Sequence, residues 1–90
     1  MRSIKELLMV MLDHQDKFKS GLCNWVFELN KDHILTNRES TRLDNYISYN
    51  KPKWYSSYSA LKAKNTEWYW IRTNKAPRIR WIKKHIKLNQ

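Results

Sequence analysis

The stretch Glu67-Trp68-Tyr69-Trp70-Ile71-Arg72-Thr73 decides how this 90-residue chain is read, because most of what surrounds it is patterned for helices. Its aromatic and β-branched residues suit a short extended segment better than a helix. In an extended chain, period two puts Trp68, Trp70 and Arg72 on one face and Tyr69 and Ile71 on the other. A lone strand is unstable, so this one calls for a partner, either Ile34 to Thr36 within the chain or the same edge in a second copy. Three of the five tryptophans, Trp68, Trp70 and Trp81, lie here or just beyond, beside the densest run of positive charge.

Downstream, Pro77 reads as the first residue of a helix, where its missing N–H is no loss. Ile79, Ile82 and Ile86 form one stripe of that helix, and Trp81, His85 and Leu88 a neighbouring one, so it runs from about Pro77 to Leu88. Lys83, Lys84 and Lys87 near its end suit the helix dipole, whereas Arg78 and Arg80 in its first turn oppose it. No acid in that turn offsets them. An anion held by Arg72, Arg78, Arg80 and the free amides of the turn would resolve the conflict, and phosphate is the usual occupant of such a place. The competing reading is that the arginine arms extend into solvent.

Upstream, Ser3 with Glu6 and Thr36 with Glu39 have the form of capping boxes. The first opens a helix from about Ile4 to His14, with Ile4, Leu7, Leu8, Met11 and Leu12 inward and Met9 and Val10 widening the face. A second helix, about Ser20 to Asn30, turns Leu22, Trp25, Val26 and Leu29 inward. The third starts after Thr36, carries Leu43, Tyr46 and Ile47, and stops near Asn50 because Pro52 disfavours helical geometry at Lys51. Helices two and three form a hairpin whose outline resembles a DNA-reading helix-turn-helix. Arg38 and Arg42 are matched there by Glu39 and Asp44, and that neutrality argues against a recognition helix. Residues 51–66 read as a loop and a short helix from about Ser57 to Lys64.

The chain is mostly α: a small single-domain bundle of about four helices over residues 1–90, with at most one short extended segment near 67–73. A lone Cys23, no signal-like leader and no apolar run near the roughly 20 residues that span a bilayer imply a reducing, cytoplasmic setting without a membrane. The net charge of +10 is lopsided. Residues 1–50 balance seven Lys/Arg against seven Asp/Glu, while residues 51–90 hold eleven Lys/Arg against Glu67 alone. Such a field, set among most of the aromatic residues, attracts phosphorylated ligands, polyanions or an acidic protein face. A purely solubilising basic surface is the bland alternative.

Catalytic signatures are weak. Three histidines and one cysteine have no metal-ligand spacing, and the single glycine cannot supply a phosphate loop or a nucleophile elbow. The expectation is a protein that is not an enzyme and uses no cofactor or metal. Trp68 and Trp70 are either stacking platforms for a base or core residues, and core is favoured for at least one of them. Tyr55, Tyr58 and Tyr69 suit a site rim, since a phenol packs and still hydrogen-bonds.

Ile34-Leu35-Thr36 with Glu39, Tyr46-Ile47, Pro52-Lys53-Trp54-Tyr55, Tyr69-Trp70 and the run Pro77 to Ile86 together resemble short uncharacterised bacteriophage-encoded proteins. The resemblance covers roughly Ile34 to Ile86 at scattered positions. It implies a protein that acts by stoichiometric binding in a bacterial host, such as a sponge that sequesters a nucleotide immune signal at an oligomer interface. On that reading Arg72, Arg78 and Arg80 take phosphates while Tyr55, Tyr69 and Trp70 contact the base. The alternatives are a basic nucleic-acid-binding protein and an inhibitor docked on an acidic host protein.

Overall fold

The computed structural model describes residues 2–17, 21–52, 55 and 66–90. Its elements are α1 (Ile4–Asp13), a 3-10 turn (Gln15–Lys17), α2 (Leu22–Lys31), α3 (Asn37–Tyr49), α4 (Glu67–Thr73) and α5 (Lys75–Leu88). The chain is mostly helical, with five α-helices and no strand among the described residues. The short helix expected near 57–64 lies outside those residues.

Both capping boxes form. Ser3 Oγ accepts from the Glu6 N–H at 3.2 Å while Glu6 Oε1 accepts from the Ser3 N–H at 2.9 Å. At α3, Thr36 Oγ1 accepts from Glu39 N–H and Glu39 Oε1 accepts from Thr36 N–H, both at 3.1 Å. The connection from α2 to α3 closes with a left-handed residue, His33 at φ 61°. The Ile34 N–H then reaches Leu29 O at 2.9 Å and the His33 N–H reaches Asn30 O at 3.0 Å, which satisfies the last carbonyls of α2.

The extended reading of 67–73 is overturned: this segment is helix α4. Thr66 caps it, its Oγ1 accepting from the Tyr69 N–H at 3.4 Å, and Thr73 Oγ1 donates back to Tyr69 O at 3.0 Å. Helical geometry brings Trp68 and Ile71 together at i, i+3 on the inner face, so Ile71 is buried and Trp68 packs beside the core. The strand preference of aromatic side chains is a packing effect, and here the packing favours a helix. Leu35, in the segment considered as its strand partner, is instead a buried plug between α2 and α3.

Asn74 is the extended link at which α4 ends and α5 begins. Helix α5 starts two residues earlier than Pro77, which sits at the third helical position. The amide there has no intrahelical partner in any case, so proline is as harmless as at the first position. In consequence Arg78 closes the first turn and Arg80 lies in the second.

The core is built from Leu7, Leu8 and Met11 of α1, Leu22, Trp25, Val26 and Leu29 of α2, Leu43 and Ile47 of α3, Ile71 of α4 and Trp81 and Ile82 of α5, with Leu35 between. Helix α1 packs most extensively on α5, α2 on α3, and α4 on α5. Met9 and Phe27, beside these stripes, stay exposed. One buried polar joint fastens the N-terminal segment to this core. Glu39 Oε2 accepts from Arg2 Nε at 2.8 Å, Glu39 Oε1 accepts from Arg2 Nη2 at 2.9 Å, and Arg2 Nη2 also donates to Ile34 O at 3.0 Å.

Candidate functional site

The site begins with the N-terminus of α2. Its cap residue, Gly21, has no side chain to make a cap hydrogen bond, and the first turn holds no acid. That end therefore turns the positive pole of the helix dipole toward the cavity. Around it Lys51, Tyr55 and three α4 residues, Trp68, Ile71 and Arg72, complete a cavity of about 210 Å³ that is also lined by Leu22, Cys23 and Asn24. Two cations, a helix N-terminus and two aromatic rings thus share one concave space.

Lys51 links the parts. Its Nζ lies 3.9 Å from Cys23 Sγ and 5.2 Å from the centre of the Tyr55 ring, a cation over an aromatic face. Tyr55 in turn packs on Trp68 with ring centres 5.7 Å apart, and Trp68 meets Trp81 edge-on at 6.1 Å. The aromatic wall is thereby continuous with the core, which holds its rings in place. Burial pushes the Cys23 thiol above its ordinary pKa, and the nearby Lys51 charge only partly opposes this. Cys23 is accordingly a neutral wall atom at neutral pH and a poor nucleophile. Asp44, also facing Cys23, has its carboxyl raised by burial.

The structure brings together only part of the residues singled out from the sequence. Arg72 and Tyr55 line the cavity. Arg80 is exposed on α5, and Tyr69 and Trp70 pair edge-to-face with centres 5.0 Å apart outside the cavity lining, Trp70 being 44% exposed. Arg78 is buried, at 3% exposure, and donates from Nε to Asn74 O at 3.1 Å. Burial lowers its guanidinium pKa to about 10, which leaves it charged at neutral pH. It neither reaches into solvent nor lines the cavity with Arg72.

Lys51 and Cys23 line the cavity without having been singled out as site residues from the sequence, while Trp68, weighed there as stacking platform or core, both lines the cavity and packs beside the core. Cys23, Lys51 and Arg72 are far apart in the chain, and nothing local signals that they meet. His85, on the stripe shared with Trp81 and Leu88, is partnered. Asn89 Nδ2 donates to Tyr46 Oη at 2.9 Å, so the Tyr46 hydroxyl is free to donate to His85 Nδ1 at 2.7 Å. His85 also stacks on Trp81 at 3.9 Å, and burial lowers its pKa, consistent with a neutral ring. This cluster is a buried structural joint between α3 and α5.

Among the described residues no group of three His, Cys, Asp or Glu is placed to hold a metal ion, and no helix is long and apolar enough to cross a membrane. No family model, curated protein or solved structure matches the chain.

Proposed function

We propose that this chain is a non-enzymatic binding protein for a small phosphorylated nucleotide ligand, taken up at the α2–α4 cavity. The observation that carries the reading is the convergence, on one cavity, of Lys51, Arg72 and the N-terminus of α2 with the rings of Tyr55 and Trp68. A phosphate is the group that a helix N-terminus and two cations complement, and a base is the group that an aromatic wall complements. Compared with the sequence-based site, Lys51 and the α2 amides replace Arg78 and Arg80, and Trp68 replaces Trp70.

The cavity is smaller than the roughly 300–1,000 Å³ of pockets that enclose a drug-sized ligand. It therefore takes one end of a nucleotide, and a second copy of the chain covering the remainder belongs to the proposal. Sequestration without turnover fits a site whose cysteine is held protonated by burial. The resemblance to short phage proteins gives that sequestration a purpose, the removal of a nucleotide signal in a bacterial host.

Calorimetric titration with AMP, cyclic dinucleotides and the matching nucleosides tests the reading. A nucleotide is expected to bind and its nucleoside to bind far more weakly. Lys51→Gln and Arg72→Gln are each expected to lower nucleotide affinity by about tenfold or more, the loss of one charge-assisted hydrogen bond. Equal affinity for nucleotide and nucleoside, or full affinity in the double variant, would overturn it.

A further inference from the structure

Helix α5 presents a second electropositive feature that is separate from the cavity. Arg80, Lys83, Lys84 and Lys87 are all exposed, and they recur at i, i+3, i+4 and i+7. That spacing aligns them as one stripe, about 10 Å long at 1.5 Å per residue. The opposite face of the same helix is Arg78, Trp81, Ile82 and His85, buried against the bundle. The orientation of the stripe is therefore fixed by the core and does not depend on loose side chains.

Among the described residues no ion pair neutralises it. Helix α5 contains no Asp or Glu, and residues 51–90 contain one acid, Glu67. Like charges at i, i+3 and i, i+4 repel, and the stripe contains four such pairs. A surface selected only for solubility intersperses acids among its cations, as residues 1–50 do with seven Asp/Glu against seven Lys/Arg. This helix carries the repulsion uncompensated, and a polyanion would relieve it.

The chemistry of the stripe separates two kinds of polyanion. An acidic protein partner would bring an interface with an apolar centre depleted of charge. Between Arg80 and Lys87 the exposed positions are all cationic, and the exposed apolar residue beside them, Leu88, lies at the end of the row and not at its centre. A row of charges with no such centre matches a nucleic-acid phosphate backbone.

We infer that the exposed face of α5 is a sequence-independent docking surface for the nucleic-acid backbone, with Arg80, Lys83, Lys84 and Lys87 as its phosphate contacts. Contacts of this type position a protein on nucleic acid without reading bases, so the binding is indifferent to sequence. The surface does not share a residue with the cavity lining and stands whether or not the cavity binds a nucleotide.

Fluorescence anisotropy of a labelled 20-base-pair duplex, titrated with the full chain between 50 and 200 mM KCl, tests this. Four phosphate contacts give a slope of log affinity against log salt near −3.6, or about 150-fold weaker binding across that range. The variant R80Q/K83Q/K84Q/K87Q keeps good helix formers on exposed positions and is expected to lose the slope. The control K31Q/R38Q, which removes two exposed cations elsewhere, is expected to keep it. The inference is overturned if the unmodified chain shows no duplex binding at 50 mM KCl. It is equally overturned if control and stripe variants lose affinity alike, or if polyglutamate competes as well as an unlabelled duplex, which would assign the stripe to an acidic protein.

Discussion

Replacing Glu39 by glutamine probes the joint between the N-terminal segment and α3, and its effect follows from three hydrogen bonds. Glu39 Oε1 accepts from Thr36 N–H and Arg2 Nη2, and Oε2 accepts from Arg2 Nε at 2.8 Å. Glutamine keeps an oxygen for Thr36 but turns an amide NH2 toward the guanidinium, so the charge and at least one Arg2 bond are lost. Hydrogen bonds to charged groups contribute about 1.5–3 kcal/mol. The Glu39 side chain is 7% exposed and Arg2 38%, which screens the arginine end, and a loss of about 2 kcal/mol is expected at neutral pH. For a domain of this size that lowers Tm by about 8–16 °C.

The same joint has a pH signature. The Arg2 guanidinium, followed by the Thr36 amide, holds the Glu39 carboxyl well below its ordinary 4.5, at about 2. A carboxyl with a depressed folded-state pKa stabilises fully above its unfolded value and loses that contribution as pH falls through the folded value. The stability gap between the natural chain and Glu39→Gln should therefore be full above pH about 4.5 and close as pH approaches about 2. Urea unfolding at several pH values reads both quantities. Equal midpoints at pH 7, or a gap of constant size from neutral to strongly acid pH, would refute the reasoning.

Three further outcomes are expected. Gly21→Asp places a carboxylate at the α2 cap, where an added Cβ meets nothing within 4 Å. It should raise stability by about 0.5–1 kcal/mol in urea while weakening nucleotide binding roughly tenfold, and unchanged affinity would argue that the α2 amides do not hold the anion. His33→Gly relieves a left-handed residue at φ 61° and should raise stability by about 1 kcal/mol; a lower urea midpoint would show that the imidazole makes a contact worth more than the strain. Arg78→Ala empties a buried position and should cost about 2 kcal/mol through lost packing of the stem, with nucleotide affinity retained in calorimetry.

Helices that announce themselves with a cap and a clean apolar period were legible in the sequence. The two capping boxes located α1 and α3, and Leu22, Trp25, Val26 and Leu29 located α2 and its buried face. The segment 67–73 misled because seven residues rich in aromatics carry little periodic signal, and only the Thr66 cap distinguishes helix from strand. Pro77 bounded the start of α5 to its first turn without marking its first residue, and that two-residue difference took Arg80 out of the first turn. The cavity was half legible. Charge asymmetry and aromatic clustering pointed to Tyr55 and Arg72, but their meeting with Cys23, Lys51 and the α2 amides depends on how α2 and α4 are brought together.

The most direct test of the central claim is the amide spectrum of the 15N-labelled protein titrated with AMP and, separately, with adenosine. If the cavity is the nucleotide site, AMP shifts the amides of Leu22, Cys23 and Asn24 most strongly, together with those of Lys51 and Arg72, and adenosine leaves the α2 amides nearly unmoved. Shifts confined to Arg80 through Lys87, or no shifts at millimolar AMP, would contradict it.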